Sequence, residues 1–102
     1  YLSWVPDESD PLSKEFSANF KKKYNLEAEY SAAFGYDTAY IVAEALKKSG
    51  SDRSKLRDAL EETKDHKGLF GTVTFDKASR EFVHAHFVVK VQDGKWVAVV
   101  QK

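Results

Sequence analysis

Between Ser31 and Ser49 the chain reads Ser-Ala-Ala-Phe-Gly-Tyr-Asp-Thr-Ala-Tyr-Ile-Val-Ala-Glu-Ala-Leu-Lys-Lys-Ser, and this segment constrains the fold more than any other. Gly50 follows it, the residue that supplies the left-handed closure of a helix. Ala32, Ala33, Phe34, Tyr36, Ala39, Tyr40, Ile41, Val42, Ala43, Ala45 and Leu46 cover most of the helix circumference. Only Asp37, Glu44 and Lys48 interrupt it with a polar stripe. A helix apolar nearly all round is one buried inside a larger body. The chain has 102 residues, and one of that size buries roughly 60–65% of its unfolded surface. The helix therefore predicts a piece of a longer protein. The start at Tyr1 rather than Met carries the same expectation of a processed chain or a fragment.

The flanking segments are simpler. Tyr1 to Val5 is short, aromatic and β-branched and predicts a strand, ended by Pro6 and the acidic Asp7, Glu8 and Asp10. Asp10-Pro11 supplies an N-cap and a first-turn proline. Leu12, Phe16, Phe20 and Tyr24 then recur every four residues, the spacing of an amphipathic helix. Lys21, Lys22 and Lys23 fall in its last turn, where cations complement the helix dipole. Ser51-Asp52 caps a third helix with Leu56, Ala59, Leu60 and Thr63 inward and a charged outer side. Lys64 to Gly71 reads as a loop and Thr72 to Phe75 as a strand.

The C-terminus predicts a β-hairpin of defined register. Asp93-Gly94 is a type I′ turn pair, so Gln92 faces Lys95 and the ladder counts outward. Val91 then faces Trp96, Val89 faces Ala98 and Phe87 faces Val100, all on one apolar face, which is expected to be buried. The other face sets Lys90 opposite Val97, Val88 opposite Val99 and His86 opposite Gln101. The order is a short strand, three helices, then a strand and a hairpin, an α/β or α+β arrangement.

Composition excludes several kinds of chemistry. The 16 basic and 16 acidic residues cancel, which argues against nucleic acid as a partner, since phosphate contacts need a basic excess. With no cysteine, thiolate nucleophiles, thiolate metal sites and disulfides are absent. His84 and His86 would share one face of a strand, a two-histidine metal clip needing His66 or a carboxylate as third ligand. The alternative is a half-exposed strand with two polar positions. No Gly-x-Ser-x-Gly elbow and no phosphate-binding loop is present. Asp37 on the apolar helix is either a perturbed carboxylate or a cap at the edge of a core. The expectation is a protein without enzymatic activity, cofactor or metal.

Phe16 to Tyr24, followed by Gly35-Tyr36-Asp37-Thr38-Ala39 and the helix to Gly50, resembles the C-terminal region of bacterial branched-chain amino acid binding proteins, the Leu/Ile/Val-binding-protein-like solute-binding components of ABC importers. The likeness continues through Ser51-Asp52 and through Gly68-Leu69-Phe70-Gly71-Thr72-Val73-Thr74-Phe75-Asp76, similar to the family's Gly-x-x-Gly-x-x-x-Phe-Asp element. It ends in Val89-Lys90-Val91-Gln92-Asp93-Gly94-Lys95-Trp96, similar to the closing hairpin. One departure is Ala78-Ser79, where the family has an Asx-Gly turn. The resemblance spans residue 3 to residue 100 and corresponds to the last third of a family member.

The resemblance implies an α/β fold of the type I periplasmic-binding-protein class, with two lobes closing over a ligand like a hinged trap. By that analogy residues 7–80 belong to the first lobe, and 81–102 return to the second through a hinge near Asp76 to Glu81. It further implies an extracytoplasmic protein, periplasmic or held at the membrane as a lipoprotein. Its partners would be an amino acid-like or small amide ligand and the permease subunits of an ABC transporter. A ligand-sensing ectodomain of the same fold and a stand-alone α+β interaction module are the alternatives. Tyr30, Ser31 and Phe34 are the candidate ligand-binding residues. They stand at a helix N-terminus, whose free N–H groups and positive dipole end suit a carboxylate, with aromatics able to wall an aliphatic side chain. In the isolated chain, the apolar helix predicts self-association.

Overall fold

Pro11 cannot donate a backbone hydrogen bond, so the first helical position suits it and the aspartate before it takes the cap. The computed structural model describes residues 4–86 and 88–99 and bears this out: the Asp10 carboxylate accepts the Leu12 N–H at 3.2 Å, and α1 runs Pro11–Tyr24. In chain order it is followed by α2 (Tyr30–Ser49) and α3 (Arg53–Glu61), then β1 (His66–Gly68), β2 (Gly71–Asp76), β3 (Glu81–His84), β4 (Val89–Gln92) and β5 (Lys95–Ala98). No helix among the described residues is long and apolar enough to cross a membrane.

The contacts separate the described residues into two units, 4–33 with 86 and 88–99, and 34–85. In the first, the four-residue spacing of α1 becomes an aromatic ladder. Phe16 meets Phe20 at 6.0 Å and Phe20 meets Tyr24 at 4.8 Å between ring centroids. Trp4 packs edge-on against Phe16 at 5.8 Å and is buried. Buried Ser13 accepts the Asp7 N–H at 2.8 Å, which ties the entering chain to α1. Asn25 adopts the left-handed conformation that ends the helix.

The hairpin β4–β5 has the expected register: Val89 faces Ala98, Lys90 faces Val97, Val91 faces Trp96 and Gln92 faces Lys95. Asp93 and Gly94 both have positive φ, as a type I′ turn requires. The Val99 N–H donates to the Val88 carbonyl at 2.8 Å, extending the ladder by the expected pair. The pairs of Phe87 with Val100 and His86 with Gln101 lie outside the described residues. The expected burial of the apolar face does not hold at the turn end, where Val91 is 61% and Trp96 53% exposed. Register fixes which side chains share a face, not what covers that face.

In the second unit, α2 closes at Gly50, whose φ is +60°. The Asp52 carboxylate then accepts the Lys55 N–H at 3.0 Å and starts α3. The strands form an antiparallel sheet of order β1-β2-β3. Ile41, Ala45, Ala59, Leu69, Phe70 and Val73 are its buried apolar residues. The Phe75 N–H bonds the Thr63 carbonyl at 2.9 Å, linking β2 to the exit of α3.

Four expectations are corrected. The predicted loop from Lys64 to Gly71 contains β1, because His66 to Gly68 pairs with Gly71 to Val73 across a two-residue reversal. The predicted strand at 1–5 is not formed at Trp4 or Val5, and residues 1–3 lie outside the described set. The single strand expected through His84 and His86 is two: β3 ends at His84 because its partner is β2, whereas β4 begins at Val89 to pair with β5. The all-round apolar helix is buried on one side only. Ile41 and Ala45 face inward, whereas Tyr40 is 52% and Leu46 43% exposed.

The turn after Phe75-Asp76 explains how Ala78-Ser79 replaces a glycine-containing turn. The Asp76 carboxylate accepts the Ala78 N–H at 3.1 Å, the Ser79 N–H at 3.3 Å and the Ser79 hydroxyl at 2.8 Å. Arg80 takes the left-handed position, φ +61°. These bonds, the Ser79 hydroxyl first, hold the Asp76 carboxyl below its ordinary value of 3.8.

Candidate functional site

The centre of the second unit is a carboxylate among apolar groups. Asp37 is only 5% exposed. Its two oxygens accept the N–H groups of Leu69 at 2.8 Å and Phe70 at 3.2 Å. A buried charge needs such charge-assisted bonds, and backbone N–H groups in a tight reversal need acceptors. The arrangement accounts for Gly68: a methyl group built there would overlap the Asp37 carboxyl. It accounts for Gly71 too, which sits at φ +82°. The geometry is that of a cap, with both carboxyl oxygens engaged by backbone donors.

The reversal places the Phe70 ring between two others. Phe34 meets it edge-on at 5.5 Å, and His84 lies 5.2 Å away. Phe34 itself remains 45% exposed, so one part of its ring is packed and another open. Phe34 and Asp37 stand three apart on α2, on neighbouring positions of one face; both reach the same reversal.

The other two candidates occupy the opening of the helix. Tyr30 is the first residue of α2 and half-buried, and Ser31, the second, is exposed. The helix begins with the Ala32 and Ala33 N–H groups bonded to the Glu29 carbonyl at 3.0 and 3.1 Å. Tyr30, Ser31 and Phe34 thus lie within the opening turns of one helix, as their spacing requires. Sequence reasoning did not place Phe70 or His84 beside the candidate ligand-binding residues. The available signal was the apolar pair enclosed by Gly68 and Gly71, a sign that a short reversal presents two large side chains.

The histidines separate. His66 on β1 lies with Nδ1 3.3 Å from a Glu44 carboxylate oxygen, His84 ends β3 with Nδ1 3.1 Å from the Ala85 carbonyl, and exposed His86 lies outside any strand. The clip of His84 and His86 on one strand is therefore not formed. Among the described residues no three His, Asp or Glu side chains gather as metal ligands would.

Residues 1–95 match the family described as periplasmic binding protein. The chain belongs to this family. Solved structures agree in fold. A chain described as a branched-chain amino acid ABC transporter from Rhodospirillum rubrum is 31% identical, with a TM-score of 0.79 over 94% of this chain. The branched-chain amino acid transporter substrate binding protein of Streptococcus pneumoniae, in complex with isoleucine, is 30% identical, with a TM-score of 0.77 over 92%. An ABC transporter substrate-binding protein of Desulfitobacterium hafniense in complex with Leu is 26% identical, with a TM-score of 0.81 over 95%. This periplasmic binding protein chain spans 28%, 27% and 29% of the length of those three relatives. Its α/β architecture is accordingly part of the type I periplasmic-binding-protein fold.

Proposed function

We propose that the chain is the C-terminal part of the solute-binding component of an ABC importer, which captures a branched-chain or related amino acid, or a small amide, outside the cytoplasm and delivers it to the permease. The observation that carries this reading is the family match over residues 1–95, joined by likeness to relatives holding isoleucine and leucine. Such proteins bind and release without chemistry, and the geometry at Asp37 is that of a cap whose oxygens are engaged by backbone donors.

Tyr30, Ser31 and Phe34 belong to the ligand-facing wall in this reading. A helix start offers N–H groups to a carboxylate. The exposed part of the Phe34 ring offers an apolar surface to an aliphatic side chain. The lobe change belongs in the hinge segment near Asp76 to Glu81.

Thermal unfolding of the full-length protein against a panel of amino acids tests the function. A ligand that binds only the native state at 100 times its Kd adds about 2.7 kcal/mol, enough to raise Tm by several degrees. Leucine, isoleucine or valine should do so, and arginine or aspartate should not. A Tm unmoved by every amino acid and amide in the panel would overturn the reading.

A further inference from the structure

Asp37 and the Gly68–Gly71 reversal form a bracket that reaches Phe34 through one intervening ring. The Asp37 oxygens hold the Leu69 and Phe70 N–H groups at 2.8 and 3.2 Å. Gly68 leaves the space the carboxyl fills. The fixed reversal sets the Phe70 backbone, and the Phe70 ring, itself buried, meets Phe34 edge-on at 5.5 Å. Edge-to-face pairs prefer a restricted range of approach, so the place of Phe70 governs the place of the half-exposed Phe34 ring.

We infer that Asp37 is a positioning residue for ligand selectivity: through the Gly68–Gly71 reversal and Phe70 it fixes the Phe34 ring, and thereby the size of aliphatic side chain that the wall accepts. The inference rests on the proposal that Phe34 borders the solute. Asp37 touches no ligand in this account. A binding wall is only as well placed as the groups that support it. The bracket supplies that support because neither end can move alone. Asp37 cannot rotate away without leaving two buried N–H groups unpaired, and position 68 cannot gain a side chain without displacing the carboxyl.

The test uses the full-length protein and four variants: Asp37→Asn, Gly68→Ala, Phe34→Ala and, as a helix-cap change remote from the bracket, Asp52→Ala. Circular dichroism establishes which are folded, and Phe70→Leu, which keeps the reversal and removes the ring, replaces either bracket variant that is not. Two readouts follow. The first is ligand-free: NMR of ring-labelled phenylalanine reports the environment of Phe34. The second is the ratio of Kd for leucine to Kd for valine by calorimetry. Expected are a displaced Phe34 signal and a ratio changed threefold or more in Asp37→Asn and Gly68→Ala, with neither change in Asp52→Ala. An unmoved Phe34 signal in the bracket variants overturns the inference without reference to any ligand. A moved signal with an unchanged ratio, while Phe34→Ala alters affinity, overturns it and leaves the ligand-facing role of Phe34 standing. Unchanged affinity in Phe34→Ala removes that role, and the selectivity inference with it. The same ratio shift in Asp52→Ala would mark a general loss of rigidity and overturn it as well.

Discussion

The carboxylate of Asp37 accepts the backbone N–H of Leu69 at 2.8 Å across 32 residues of sequence. That bond, with its neighbour to Phe70, joins a helix to the reversal of a β-hairpin. It ties a polar interruption of an apolar helix to the reversal whose Phe70 ring meets Phe34 and His84. Asp37→Ala should destabilise the protein by about 1–3 kcal/mol, the cost of leaving buried donors unsatisfied. Gly68→Ala should cost a similar amount, roughly 1–3 kcal/mol, by overpacking. Urea unfolding of both single variants and the double measures this. Because both act on one contact, the double variant should fall short of their sum.

The two tryptophans should behave unequally. Trp4 is buried against Phe16, so Trp4→Ala should cost about 3–5 kcal/mol. Trp96 is 53% exposed, and Trp96→Ala should cost no more than about 1–2 kcal/mol. Unfolding midpoints of the 102-residue chain report the difference.

The acid limb of stability should include Asp76. Its carboxyl is held below 3.8, chiefly by the Ser79 hydroxyl and then by the Ala78 and Ser79 N–H groups. The folded state therefore favours the ionised form. Its contribution is present above pH 3.8, the ordinary value, and is lost as pH falls through the lower folded value. Carboxyl-carbon NMR should show the Asp76 midpoint below 3.8 and, in Ser79→Ala, closer to it.

The exposed apolar side chains Tyr40, Leu46, Val91 and Trp96 should draw the isolated 102-residue chain into self-association. Light scattering across a concentration series should give a mass that rises with concentration. Tyr40→Lys combined with Val91→Lys should reduce that rise.

Much of this fold was legible because local chemistry decided it. Asp10-Pro11 and Asp52 set helix starts, Gly50 set an end, and Asp93-Gly94 set a register that the hairpin keeps pair by pair. The short strand β1 was not legible. His66 to Gly68 has no strand pattern of its own and becomes one only through pairing with β2. The division of the expected strand after His84 was hidden for the same reason, since its two parts answer to different partners. Burial was the least legible property: the apolar content of α2 and of the hairpin shows which residues could be covered, not which ones are. At the candidate site, the helix start carrying Tyr30, Ser31 and Phe34 was legible, whereas the contact of Phe70 with Phe34 depended on a long-range bond from Asp37 that no local pattern encodes.

The most direct test of the ligand-facing role of this segment is calorimetry of leucine binding to the full-length protein and to its Tyr30→Ala, Ser31→Ala and Phe34→Ala variants. The account predicts that at least one variant remains folded and binds tenfold or more weakly, a loss of about 1.4 kcal/mol. Three folded variants with the affinity of the parent would contradict it.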